Sequence, residues 1–321
     1  MKKVLFTGDT LSDEKRENLR KRGFEFVPAR IDLTEEELIS TLKGFDGYIL
    51  GGEEIATKNV IENAKSLKVI TFFGTGFEKY IDVSAAKKCG VVVTNTPNTN
   101  TNSVAEFTIA LILSTVKEIV PMNNKTKNGM WEKAHTWDLR GKTVGIIGMG
   151  NIGSLVAKIL HNGFGMKINY YSRNRKLEIE KELHANFLPL DEIFKSSDVV
   201  SIHLAYSEET IGIINSSHLK NMKHGATLVN TARAELVDPA SLKEILSENG
   251  PTVAFDCYYK EPVPHPNEDL WGLLSVEDKK FILTPHSAYN TADAVEKMEE
   301  MAVENTIKIL KGEQCNNTIR M

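Results

Sequence analysis

An α/β protein built from two doubly wound parallel-sheet domains is the fold class this sequence predicts. Its 321 residues exceed what one ordinary core accommodates, at roughly 150 residues per domain. Short β-rich runs alternate with helical stretches in two separate series, the pattern of parallel strands with helices on both faces. One strand of the second series also runs directly into a cluster of glycines.

The first series comprises Lys3 to Thr7, Phe24 to Val27, Tyr48 to Leu50, Val69 to Phe72 and Val91 to Thr94. A long helix is expected next, from Ser103 to Lys127, with Ser103 as N-cap and Glu106 completing a capping box. The second series follows at Thr143 to Ile147, Lys167 to Tyr171, Val199 to His203, Thr227 to Asn230, Val253 to Phe255 and Phe281 to Thr284. Six strands in this arrangement suit a full dinucleotide fold. The last helical pattern, Ala292 to Lys311, is long enough to return to the first lobe. The expected domains are therefore residues 1–100 with 290–321, and residues 101–289, two lobes closing on a cleft.

Hydrophobic residues make up 41% of the chain and charged residues 26%, with a mean hydropathy of -0.24, which is the balance of a folded globular protein. The net charge is -4 and no block of five basic residues occurs, so neither nucleic acid nor an anionic membrane is an expected partner. The opening apolar run breaks at Thr7-Gly8-Asp9, too early for a signal peptide, and no run is long enough to span a bilayer. Cys89, Cys257 and Cys315 are unclustered, which disfavours a disulfide framework or a zinc site and points to a reducing cytoplasm. No metal is expected.

Gly148-Met149-Gly150-Asn151-Ile152-Gly153 matches G-x-G-x-x-G, and its context gives the match weight: a β-branched strand before it and a helix-forming run after it. One glycine serves the tight turn, one the close approach of pyrophosphate and one the packing of helix on strand. A Rossmann cofactor domain follows from this. About 20 positions on, a carboxylate usually takes the adenosine 2′-hydroxyl of NAD. Here the strand end reads Tyr171-Ser172-Arg173-Asn174-Arg175, with two guanidiniums and no acid. NADP(H) is the expected preference, NAD remaining possible, with Ser172 donating to the 2′-phosphate and Arg173 and Arg175 meeting its charge.

Three further segments stand at strand ends: Asn230-Thr231-Ala232-Arg233, Asp256 to Pro262, and Thr284 to Ala288. With the glycine motif, the order Arg233, Glu261, His286 resembles the D-isomer-specific 2-hydroxyacid dehydrogenase family over essentially the whole chain. That resemblance implies a flavodoxin-like substrate domain beside the Rossmann domain and a homodimer formed about the 103–127 helix. It also implies a small 2-oxo acid as substrate. Arg233 corresponds to the substrate-binding arginine, Glu261 to the carboxylate behind the histidine, and His286 to the acid/base. Asp256 corresponds to an aspartate near the nicotinamide amide, and Gly74, Thr75 and Gly76 to a substrate-carboxylate loop. His203, Thr231 and Ala232 are placed in the cofactor pocket. Asn98, Ala205 and Ala234 depart from the family pattern, which has glycine, proline and glycine at those positions.

The chemistry stands without the resemblance. A guanidinium clamps a carboxylate in a bidentate fork that lysine cannot reproduce, which suits Arg233. Hydride arriving at the ketone carbon of a 2-oxo acid creates an alkoxide that needs a proton, the task of His286, with Glu261 fixing its tautomer. Glyoxylate or hydroxypyruvate reduction is the expected activity. Phosphoglycerate dehydrogenase, or a non-catalytic dinucleotide sensor on the same fold, remain the alternatives.

Overall fold

The computed structural model of the protein describes residues 1–247 and 250–319. The chain divides into two compact units, Met1–Asn100 with Asn290–Met321, and Thr101–Tyr289. Residues 320 and 321, at the end of the first expected domain, lie outside the described residues.

The first unit holds β1 (Lys2–Thr7), β2 (Phe24–Ala29), β3 (Gly47–Leu50), β4 (Val69–Phe72) and β5 (Val92–Thr94). They form one parallel sheet in the order β2-β1-β3-β4-β5, the flavodoxin-like arrangement. Val4, Leu5 and Phe6 on β1 and Tyr48, Ile49 and Leu50 on β3 are all buried. Both sheet faces are covered, so these strands read as continuous apolar runs rather than as alternation. Pro28 is tolerated in β2 because that strand is an edge, where a missing N–H breaks no second ladder.

Helices α1 (Asp13–Lys21), α2 (Glu35–Thr41), α3 (Lys58–Asn63) and α4 (Val83–Lys88) start where Ser12, Thr34, Thr57 and Asp82 accept a backbone N–H of the first turn. The C-terminal helix, Ala292–Leu310, belongs to this unit. Its Ala302 and Ile307 share one apolar cluster with Val4, Phe6 and Ile49. Thr306 pairs with Thr71 of β4 at 2.8 Å, and Asn305 donates to the Asn95 carbonyl at 2.9 Å.

The second unit begins with α5 (Thr101–Val116) and α6 (Ile119–Lys127). The single helix expected from Ser103 to Lys127 is therefore two, broken where Glu118 adopts a left-handed φ of 48°. Ser103 is not the N-cap: it is a buried residue inside α5, which starts at Thr101. The capping-box pattern misled because a serine three residues before a glutamate also arises by chance on a helix face.

The sheet strands of this unit are β6 (Thr143–Ile147), β7 (Lys167–Tyr171), β8 (Asn186–Phe187), β9 (Val199–Ile202), β10 (Thr227–Asn230), β11 (Thr252–Phe255) and β12 (Phe281–Leu283). Their order is β12-β11-β10-β9-β6-β7-β8, all parallel, which is the Rossmann order with one strand added beyond β11. Seven strands form where six were expected, because β8 is a two-residue edge strand with exposed side chains and leaves no apolar run to read. The helices between them are α7 (Asn151–Phe164), α8 (Leu177–Leu183), α9 (Leu190–Ser196), α10 (Ser216–Lys220) and α11 (Pro239–Ser247). Strand order reverses between β6 and β9, so the crevice beyond their carboxyl ends is the place for a ligand.

Candidate active site

The glycine turn leaves β6 at Ile147, and each glycine has a separate physical reason. Gly148 has a φ of +100°, and a Cβ there would stand 2.5 Å from the carbonyl oxygen of His203 on the neighbouring strand end. At Gly153 a Cβ would meet the Gly148 carbonyl oxygen at 2.1 Å, so the helix packs on the turn only without a side chain. Around Gly150, in contrast, nothing lies within 4 Å of a Cβ position, which leaves open space at the start of α7. No side chain caps that helix, so its first N–H groups and positive dipole end face the opening, the property of an anion site. Met149 turns its side chain into the core, 2% exposed, so its share in the turn is its backbone. Asn151 and Ile152 form the first turn of α7.

After β7 the chain forms the loop expected to read the 2′ position. Ser172 is buried and donates its hydroxyl proton to the Asn174 carbonyl at 2.6 Å. This corrects the expectation that Ser172 donates to a phosphate: with its one proton committed, the hydroxyl can only accept. Arg175 is committed as well. Its Nε and Nη2 donate to the two carboxylate oxygens of Glu180 on α8, at 3.1 and 2.5 Å. Arg173 is exposed, and none of the described residues forms an ion pair with it.

His203 follows β9 and contacts the Ser201 hydroxyl through Nε2 at 2.8 Å. Burial pushes its imidazole down to about 3, so it is neutral in ordinary buffers.

Three consecutive strand ends supply the remaining groups. After β10, Asn230 folds the Thr231–Arg233 turn: its Nδ2 donates to the Arg233 carbonyl at 2.8 Å and its Oδ1 accepts from Ala232 N at 2.9 Å. Thr231 makes a 2.8 Å hydroxyl contact with Thr108 of α5. Arg233 Nη1 donates to the Ala232 carbonyl at 2.8 Å and lies 3.5 Å from His286 Nε2. After β11, Glu261 accepts from Tyr258 N at 2.8 Å through Oε1, and its Oε2 faces His286 Nδ1 at 2.9 Å. The side chains of Glu261 and His286 are only 13% and 25% exposed, so the pair is shielded from water yet reachable.

His286 itself sits beyond β12 with a left-handed φ of 52°. Such a conformation persists in a residue with a side chain only where its surroundings impose it. Asp256 imposes it here. Buried at the end of β11, it accepts from Thr284 Oγ1 at 2.6 Å, Ser287 N at 2.9 Å and Ala288 N at 2.7 Å. Both its oxygens are thus used by the loop that carries His286, a role that sequence reasoning missed when it placed this residue at the cofactor. Asn230 was missed likewise. The only sequence signal for either is a polar residue closing a buried strand. Tyr289, also missed, meets the His286 ring edge-on at 6.3 Å between centroids.

In the first unit, Gly74, Thr75 and Gly76 follow β4. The Gly74 carbonyl accepts from Thr96 N at 2.9 Å, and the Thr75 carbonyl accepts from Asn95 Nδ2 at 2.8 Å. Asn98 takes a φ of 67°, which glycine adopts freely and asparagine tolerates, so the departure at this position keeps the turn. Among the described residues no cluster of acidic, histidine or cysteine side chains could hold a metal ion, and no helix is long and apolar enough to cross a membrane.

The profile of the D-isomer specific 2-hydroxyacid dehydrogenase NAD binding domain matches residues 109–288, more than half of the chain. The chain belongs to this family. It is 39% identical over 271 residues to a glyoxylate reductase of Aeropyrum pernix, covering 81% of this chain and 78% of that protein. Among solved structures it superposes on the TT0316 protein from Thermus thermophilus with a TM-score of 0.87 at 34% identity, covering 99% and 100% of the two chains. It also superposes on an acyclic imino acid reductase in complex with NADPH and D-Arg, with a TM-score of 0.84 at 28% identity and the same coverage. The protein is an NAD(P)-dependent D-2-hydroxyacid dehydrogenase, and Arg233, Glu261 and His286 are the residues that three of its strand ends bring together.

Proposed function

We propose that this dehydrogenase reduces glyoxylate or hydroxypyruvate, with NADPH as its preferred hydride donor. The observation that carries the reading is the arrangement of Arg233, His286 and Glu261. Glu261 accepts the Nδ1 proton of His286, which turns Nε2 toward Arg233 at 3.5 Å. A 2-oxo acid held by its carboxylate on the Arg233 fork then presents its carbonyl oxygen to Nε2. The bound dinucleotide supplies the hydride. His286 delivers the proton to the developing alkoxide, and the Glu261 carboxylate stabilises the imidazolium before transfer. Asp256 keeps the His286 loop in its left-handed turn throughout.

Glyoxylate as the substrate is supported by the name of the Aeropyrum pernix relative. The NADPH preference is supported by Arg173, exposed beyond β7, and by the absence of an acidic side chain at Ser172. A 2′-phosphate is a dianion that a carboxylate at this place would repel and a guanidinium attracts. Ser172, as an acceptor, suits the free 2′-hydroxyl of NADH, so both cofactors are usable. The Gly74–Gly76 loop is proposed to take part in binding the substrate carboxylate. Dimerisation about α5 and α6 is also proposed. The test is steady-state turnover of glyoxylate, hydroxypyruvate, pyruvate and 3-phosphohydroxypyruvate with each reduced cofactor. Highest kcat/KM for glyoxylate or hydroxypyruvate with NADPH is expected. Turnover confined to 3-phosphohydroxypyruvate would make the enzyme a phosphoglycerate dehydrogenase, and none at all, with dinucleotide bound, a sensor.

A further inference from the structure

Around the loop that follows β7, four residues from four successive places in the chain meet: Tyr170 on β7, Arg175 in the loop, Glu180 on α8 and Phe187 on β8. Arg175 is held from two sides. Its guanidinium donates to both Glu180 oxygens, and its carbon lies 5.9 Å from the centroid of the Phe187 ring. The Phe187 ring is steadied in turn by Tyr170, with centroids 5.4 Å apart. Glu180 is steadied by the hydroxyl of the fully buried Tyr170, which donates to its Oε1 at 2.5 Å and accepts from Lys176 N at 2.7 Å. The Glu180 side chain is 14% exposed, while that of Arg175 is 58% exposed. The acid is therefore the fixed partner and the cation the one drawn to it.

We propose that Glu180 is a cofactor-selecting positioning residue: by occupying the fork of Arg175 it withholds that guanidinium from a 2′-phosphate and leaves Arg173 as the loop's other guanidinium to tell NADPH from NADH. The proposal rests on the reading that the loop after β7 receives the adenosine 2′ position. The bidentate geometry makes the commitment strong, since a fork that serves a carboxylate with Nε and Nη2 has only its far side left for a phosphate. Arg175 also draws the Glu180 carboxyl below its usual range, so the acid stays ionised and holds on across neutral pH. The consequence is a dehydrogenase whose NADPH preference is moderate, with a second basic residue in reserve one substitution away.

E180Q tests this, because it keeps the side chain's shape and removes the charge that holds Arg175. The probes are adenosine 2′,5′-bisphosphate, which carries the 2′-phosphate, and 5′-AMP, which lacks it, with affinities measured by calorimetry at fixed ionic strength. E180Q should bind the 2′,5′-bisphosphate tighter by on the order of tenfold, the size of one added charge-assisted contact, with 5′-AMP unchanged. The ratio of kcat/KM for NADPH over NADH should rise in parallel. R175A alone should leave 2′,5′-bisphosphate affinity at the wild-type value, and E180Q with R175A should lose the gain. A gain that survives in the double variant would come from the lost negative charge alone and would overturn the proposal. So would equal tightening of 5′-AMP, no change in E180Q, or weakened binding in R175A. R173A separates the two levels: a lowered cofactor ratio there with no response in E180Q removes only the role of Glu180, whereas an unchanged ratio removes the 2′ assignment of the loop itself.

Discussion

The turn after β6 and the loop after β7, both proposed to receive the dinucleotide, are built by opposite means. In the first, function comes from missing side chains: a Cβ at Gly148 or Gly153 would meet backbone within 2.5 Å, and none at Gly150 would meet anything. In the second, function comes from side chains whose protons and charges are already spent, Ser172 on the Asn174 carbonyl and Arg175 on Glu180. The difference teaches when a sequence can be trusted to name a site. Only glycine satisfies the first turn, so its letters state the requirement. In the second, the letters show which groups are present and not whom they already serve.

The comparison is sharpened most by His286, which lies in neither loop. H286A should lower kcat by about 10²–10⁴-fold, the usual share of a general acid, while fluorescence titration shows NADPH affinity unchanged. Retained turnover would show that the proton comes from elsewhere. R233K should follow, lowering kcat/KM for the 2-oxo acid by raising KM and reducing kcat together, because lysine loses the fork.

The glycine turn can be broken within itself. G148A, which adds strain at a φ of +100° and a clash with the His203 carbonyl, should cost about 1–3 kcal/mol of stability and lower the Tm. G150A meets open space, so it should leave the Tm unchanged while weakening dinucleotide binding. If the two variants behaved alike, the separate reasons given for these glycines would fail. In the loop after β7, R173A should reduce the NADPH-over-NADH ratio of kcat/KM by about tenfold, and less at high salt.

A separate effect, on stability at acid pH rather than on turnover, concerns His203. Its folded pKa of about 3 lies below the 6.5 of the unfolded chain, so below pH 6.5 the unfolded state binds a proton that the folded state does not. Stability is then present above pH 6.5 and lost as pH falls toward 3, by up to about 1.4 kcal/mol per pH unit. H203N should flatten that acid slope in urea titrations and leave the pH profile of turnover above pH 5 unmoved. A shifted turnover profile would give His203 a part in catalysis.

Much of the fold was legible because parallel strands buried on both faces leave unbroken apolar runs, as on β1, β6 and β9. The break at Glu118 and the strand β8 were not, since a left-handed residue without glycine and a two-residue exposed edge carry no periodic signal. Arg233, Glu261 and His286 were legible as a set because they close three strands in a row. Asp256 and Asn230 were legible only as polar residues there. That Asp256 fastens the His286 loop follows from hydrogen bonds between neighbouring strand ends, which depend on β11 and β12 lying side by side, whereas Asn230 folds the Arg233 turn through bonds two and three residues along its own chain.

That the glycine turn and the strand-end residues serve one hydride transfer is tested most directly by isotope. NADPH deuterated at both C4 positions is incubated with glyoxylate and the wild-type enzyme, and the glycolate formed is analysed by mass spectrometry. One deuterium on C2 of each glycolate, in step with NADPH consumed, is the result predicted. NADPH bound as tightly as a cofactor, with no deuterium reaching any 2-oxo acid, would contradict it.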